Sequence, residues 1–201
     1  MANGAFQSVA IADWSLKDSV ARKIFARFGT PDIDLMASQA SRKVPRFISW
    51  SRADSEAVAL DSLSSGVRWN IWELPYLFPP FSLIGKCLQK IREEQVQRII
   101  VVLPWIPDST HLGTAFKMLL RPPVRLSHTK ALVTDLVTGQ PPQGWKRRHL
   151  ITCLLTGMQT SCRTLSKLMP STTSRCPGGQ ERNPLTNPIG ESMELRKLHL
   201  V

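Results

Sequence analysis

The tetrapeptide Phe78-Pro79-Pro80-Phe81 is the stretch of this chain whose residue types and order best suit chemistry. Proline fixes φ and removes a backbone donor, so two in succession hold the Pro79 carbonyl as a rigid acceptor. The ring that follows, Phe81, suits stacking on a base drawn out of a duplex. A fixed acceptor beside a ring serves methyl transfer to an exocyclic amine. That reaction also uses a polar side chain just before the prolines, to accept a second N–H of the amine. Phe78 stands in that place, and a phenyl ring accepts no such bond. Losing one preorganised group of this kind typically costs on the order of 100-fold in rate. The plainer reading of the same residues is a proline turn whose aromatics pack in the core.

Two carboxylates form the rest of the constellation. Asp34 lies in the short apolar run Ile33-Asp34-Leu35-Met36, where a charge is out of place unless it does work. At the carboxyl end of a parallel strand it would sit where doubly wound sheets bind nucleosides. Asp61 is similar in kind. The plainer readings are a strand-end carboxylate facing water for Asp34 and a turn cap for Asp61.

Elements able to position these residues are legible around them. Val20, Ile24, Phe25 and Phe28 recur at helical spacing, predicting a helix from about Leu16 to Phe28 that stops at Gly29 and Thr30-Pro31. Ile33–Met36 and Arg46–Trp50 read as strands, and Trp69–Leu77 as a third, interrupted by Pro75. After the diproline bend, Leu83, Ile84, Cys87, Leu88 and Ile91 form a helical stripe. It leads into Arg98-Ile99-Ile100-Val101-Val102-Leu103, the strongest strand signal in the chain. Strand, helix, strand in that order predicts a βαβ unit in a parallel sheet covered by helices. Further helices are expected at Phe116–Leu120 and within Lys146–Leu155, and from Gly157 onward Ser, Thr, Pro, Gly and Arg predict low order.

The whole chain has 201 residues, enough for one domain and a tail, and 42% of them are hydrophobic, enough for a core. The net charge is +11. Residues 1–138 carry 17 basic and 12 acidic side chains and residues 139–201 carry 9 and 3, so the basic character concentrates in the tail. That distribution favours a polyanion such as nucleic acid as partner, with Lys146-Arg147-Arg148 as candidate phosphate contacts. A solvated charged face is the plainer reading of that run. The six tryptophans suit core or interface anchoring first and base stacking second.

Four cysteines, at 87, 153, 162 and 176, form no CxxC pair and no zinc-ligand spacing, so no metal is expected. The histidines and serines suggest no hydrolase, and no phosphate-cradling glycine motif is present. Met1–Ala12 lacks the pattern of a signal peptide, and the longest apolar run, Ile99–Leu103, is too short to span a bilayer. An intracellular place, nuclear or cytoplasmic, with free thiols and no membrane partner is the expectation.

A family resemblance rests on longer runs. Phe28-Gly29-Thr30-Pro31-Asp32-Ile33-Asp34-Leu35-Met36-Ala37-Ser38, then Arg42-Lys43-Val44-Pro45-Arg46-Phe47-Ile48-Ser49-Trp50, then Phe78-Pro79-Pro80-Phe81-Ser82-Leu83-Ile84-Gly85-Lys86 resemble a segment of DIRS-type, tyrosine-recombinase retrotransposon polyproteins. Trp14-Ser15-Leu16 and Trp145-Lys146-Arg147-Arg148-His149-Leu150 fit the same layout. That segment lies beyond the reverse transcriptase and ribonuclease H and ahead of the recombinase, and is similar to phage-type Dam N6-adenine methyltransferases. The resemblance implies a small Rossmann-like sheet that binds S-adenosylmethionine, with Asp34, Ala37 and Asp61 at the cofactor and Pro79, Pro80 and Phe81 at the base. Three departures mark this chain: Phe78 replaces Asn or Asp, Ser15-Leu16 replaces a Thr-Pro pair, and Pro107-Asp108-Ser109-Thr110-His111 replaces a Trp- and Gln-rich stretch.

The expectation is therefore a flexible N-terminus over 1–12, a methyltransferase-like α/β domain over 13–138, and a basic, largely disordered tail over 139–201. Its expected role is a catalytically degenerate, retrotransposon-derived module that binds nucleic acid. The alternatives are an active S-adenosylmethionine-dependent DNA adenine-N6 methyltransferase and a charge-driven nucleic-acid-binding fragment.

Overall fold

Residues 14–106, 109–126, 132–142 and 149–158 are described by the computed structural model of the chain. They form a mixed α/β fold. In chain order the elements are β1 (Trp14–Leu16), α1 (Asp18–Phe28), β2 (Ile33–Asp34), β3 (Ile48–Ser49), β4 (Ala59–Leu60) and β5 (Pro75–Leu77). A single 3₁₀ turn (Phe81–Leu83) then precedes α2 (Ile84–Glu93), β6 (Ile99–Trp105), α3 (Thr110–Lys117), β7 (Val124–Arg125), β8 (Val133–Asp135) and β9 (His149–Leu155).

β6 organises the sheet because its run is apolar without interruption, which suits a strand buried on both faces. Ile99, Val101 and Leu103 pack on one side with Leu77, Ile84, Leu88, Ile91 and Leu112. Ile100 and Val102 pack on the other with Ala21, Ile24, Phe28, Tyr76 and Val133. The first side is covered by α2 and α3, the second by α1 and the antiparallel β1–β8 ribbon.

The sheet order is β2-β5-β6-β9-β7, with β2, β5 and β6 parallel and β9 antiparallel to both its neighbours. The parallel pair β3–β4 continues it beyond β2 through a parallel bridge between Asp34 and Phe47. Ile33–Asp34 and Ile99–Trp105 thus share one sheet, with β5 between them.

Four expectations need correction. Residues 149–155 form a strand and not a helix, paired over its whole length with β6. Its run from Leu150 to Leu155 is covered on both faces, and a sheet interior overrides whatever the charged flank before it suggested. The folded unit accordingly extends past 138: Thr156 N–H donates to Met118 O at 2.8 Å and Gly157 N–H to Val96 O at 2.8 Å. The third helix begins at Thr110 and ends at Lys117, leaving Leu119 to bridge Leu155. Leu16 belongs to β1, opposite Val133, so α1 starts later, with Asp18 in its first turn.

The strands at 33–36, 46–50 and 69–77 are also shorter than their apolar runs, keeping two or three paired residues each. Trp69 is buried in a turn instead, its indole N–H donating to Ser62 O at 2.9 Å. No described helix is long and apolar enough to cross a membrane.

Candidate functional site at the strand-order reversal

From β2 the chain steps outward to β3 and β4, then returns to β5 on the other side of β2 and continues to β6. In open α/β sheets ligands bind outside the carboxyl ends of the strands where the order reverses in this way. Here that place is between β2 and β5. Asp34, Leu35, Met36 and Ala37 leave one strand, and Phe78, Pro79, Pro80 and Phe81 leave the next. The two motifs singled out in the sequence are therefore brought to the carboxyl ends of two adjacent parallel strands.

Asp34 is 2% exposed. Its Oδ2 accepts the Lys43 N–H at 3.1 Å, while Oδ1 is buried without a hydrogen-bond partner. Burial is the main influence on its carboxyl and pushes its pKa up to about 7, against the opposing pull of the Lys43 and Met36 N–H groups and the Lys43 charge. Asp34 pairs in register with Tyr76 of β5. The Tyr76 hydroxyl is likewise buried without a partner, and burial, then the neighbouring Asp34, raises its pKa. The Tyr76 ring meets Phe25 of α1 edge-on, with centroids 5.3 Å apart.

Lys43 closes this polar group from above. Its Nζ donates to Ser15 Oγ at 2.8 Å and to Asp18 Oδ1 at 2.6 Å, tying β1 and the start of α1 to the loop after β2. The lysine side chain is 7% exposed whereas Asp18 is 73% exposed, so the pair is anchored at one end only. Lys43, through its hydrogen bond and then its charge, holds the Asp18 carboxyl below the ordinary value of 3.8.

Around the diproline the contacts are apolar. Phe78 is half-buried against the α1-side core. Pro79 is buried, and Pro80 O accepts the Leu83 N–H at 2.9 Å to form the turn into α2. Phe81 packs edge-on against Trp14, centroids 5.3 Å apart at 80°. The ring is half-buried and packs against the apolar clusters on both sides of the sheet.

Ala37 is 3% exposed and donates its N–H to Ile48 O at 3.2 Å. Asp61 is not drawn into the group. It is exposed at the end of β4, with φ 52°, and its Oδ1 accepts the Leu63 N–H at 3.2 Å, a turn cap. Two strand spacings, roughly 10 Å, separate β4 from β2. Lys146, Arg147 and Arg148 lie outside the described residues.

Sequence reasoning missed Lys43 and Tyr76. Tyr76 is the sole tyrosine and sits two residues before the motif, which was a signal of sorts. Nothing in the sequence marked Lys43, because its role depends on three segments meeting.

Elsewhere, a cavity of about 570 Å³ lies between α2 and α3, lined in part by Gly85, Gln89, Arg92, His111 and Thr114. It is on the face of the sheet covered by α2 and α3, opposite the Tyr76 side. Among the described residues no group of His, Cys, Asp and Glu could hold a metal. Cys87 and Cys153 are buried free thiols whose pKa is pushed up to about 12 by burial, which leaves them inert at neutral pH.

Compared with known proteins, the chain matches no protein-family model and no curated protein.

Proposed function

We propose that this chain is a methyltransferase-like module of a DIRS-type retrotransposon polyprotein, retaining a nucleoside-binding scaffold of Rossmann-like kind while lacking the groups for catalysis. The observation that carries the reading is the meeting of Asp34 and Phe78-Pro79-Pro80-Phe81 at the reversal of strand order. A binding site has its reason to exist there.

The orphaned Asp34 Oδ1 supports a ligand that brings a donor, and fits the ammonium or a hydroxyl of S-adenosylmethionine. When bound, that cofactor supplies an activated methyl group. The target-base side does not fit the reaction. Phe78 offers no acceptor for an amine, and Phe81 is engaged with Trp14 instead of being open to stack on a base. With no acceptor for the amine the arrangement does not support methyl transfer, and nucleic-acid binding is the activity the module retains. Within a polyprotein its neighbours are the reverse transcriptase, ribonuclease H and recombinase that the resemblance implies.

Calorimetric titration with S-adenosylmethionine tests the retained scaffold. Saturable binding weakened tenfold or more by Asp34→Asn is expected, and the absence of heat with folded protein overturns it.

A further inference from the structure

At the same carboxyl edge of the sheet, three adjacent strands end in a row of side chains that the strand-order reversal does not use. β6 ends in Trp105, which pairs in register with His149 at the start of β9. Next to β9 lies β7, ending in Arg125 opposite Ile151. Leu103 and Ile151 both belong to the core beneath α2 and α3, and Trp105 packs against that core. Side chains alternate between faces along a strand, so Trp105, His149 and Arg125 all lie on that face.

All three are half-buried. Arg125 Nη2 is 3.3 Å from His149 Nδ1. Arginine only donates, so Nδ1 is the acceptor and the ring is neutral when that bond is made. Arg125 Nε is buried without any acceptor, and no carboxylate among the described residues forms an ion pair with this guanidinium. A partly desolvated guanidinium with no counter-charge among the described residues is complementary to an anion with several oxygens. On the far side of His149, Trp105 stands tilted on Phe116 of α3, centroids 6.0 Å apart, held as a partly exposed indole.

We propose that Trp105, His149 and Arg125 form a binding strip for single-stranded nucleic acid, with Arg125, held by His149, on a backbone phosphate and Trp105 stacking on the adjoining base. Arg125 is one strand from the His149 ring and two strands, roughly 10 Å, from Trp105, a span a nucleotide laid across the sheet edge covers from phosphate to stacked base, and stacking on a ring tolerates any base. The inference rests on the nucleic-acid part of the proposed function, and is independent of the cofactor part.

The test uses the full chain and a fluorescein-labelled decadeoxynucleotide of mixed sequence, with anisotropy read across a series of KCl concentrations. Arg125→Gln should lower the slope of log affinity against log salt by about 0.7, the value for one phosphate contact to a single strand, and Arg125→Lys should restore it. Trp105→Leu should weaken binding about 5- to 150-fold without changing the slope. Near-UV circular dichroism checks that each variant is folded. A duplex of the same sequence, whose bases are already stacked, should bind more weakly than the single strand. If both variants bind as the parent does, or if the folded parent binds no oligonucleotide, the strip is overturned. Cofactor calorimetry reports separately on the scaffold reading, so failure of one is distinguishable from failure of the other.

Discussion

Asp34 and Tyr76 stand in register on two neighbouring parallel strands, both buried, each with an oxygen that no hydrogen bond reaches. Buried polar atoms are nearly always satisfied, so two unsatisfied side by side are a costly arrangement for a core to carry. It is the arrangement expected where a ligand completes the bonding. Each residue makes a prediction.

For Asp34 the prediction concerns pH. Its carboxyl is raised from 3.8 to about 7 by burial, so the folded state binds the proton more tightly than the unfolded chain. The stability this confers is present in full below the unfolded value and is lost as pH rises through the folded one. Asparagine cannot ionise and keeps an oxygen for the Lys43 N–H. Urea denaturation should therefore show Asp34→Asn gaining on the parent between pH values of about 4 and about 8, then levelling off. Parallel curves at all pH values would show that Asp34 is not held in this way.

Tyr76→Phe removes a hydroxyl that is buried and unbonded, and leaves the edge-on contact with Phe25 intact. An unsatisfied buried group costs about 1–3 kcal/mol, so the variant should be more stable than the parent by about 1 kcal/mol. A loss of stability in equilibrium unfolding would mean the hydroxyl has a partner.

Lys90 and Glu94 predict an asymmetry. Lys90 Nζ meets Glu94 Oε1 at 2.8 Å and Ser64 O at 3.0 Å, and Glu94 in turn accepts the Trp69 N–H. Both side chains are nearly buried, at 11% and 12% exposed. Lys90→Met strands a buried carboxylate and should cost about 3 kcal/mol, whereas Lys90→Met with Glu94→Leu should recover much of it. Chemical denaturation of the two variants and of Glu94→Leu completes the cycle.

Two glycines separate a rigid neighbour from a movable one. A Cβ at Gly157 would run into the Ile91 carbonyl, which is fixed in α2, so Gly157→Ala should unfold the end of β9 or push it off the sheet. A Cβ at Gly85 would meet the His111 ring at 2.9 Å, and an exposed ring can swing away. Gly85→Ala should cost well under half as much in melting temperature. Ending the chain at 138 removes β9 from between β6 and β7 and should abolish folding altogether, as circular dichroism would show.

How far the sequence reveals this fold depends on how each element is stabilised. β6 was legible because a strand buried on both faces must be apolar throughout. α1 and α2 were legible because one face of each packs on the sheet, giving Ala21, Ile24 and Phe28 or Ile84, Cys87, Leu88 and Ile91 their spacing. β1, β3, β4 and β8 have two or three residues each, too few for any period to show. β9 carries the same kind of apolar run as β6, yet a short helix was expected within Lys146–Leu155, because a run of this length alone does not separate a buried strand from a buried helix. At the site, Asp34 and the diproline were legible because both break the pattern around them. Lys43 was not, since a lysine bound to Ser15 and Asp18 is visible only once the chain has folded.

The central claim, a binding scaffold without catalysis, meets its most direct test in methyl transfer. Purified full-length chain is incubated with radiolabelled S-adenosylmethionine and adenine-rich DNA, both single-stranded and duplex, and the label retained on DNA is counted. With Phe78 before the prolines, incorporation no greater than that of a Pro80→Ala variant is the predicted result. Robust incorporation by the parent chain, abolished by Pro80→Ala, would contradict the account.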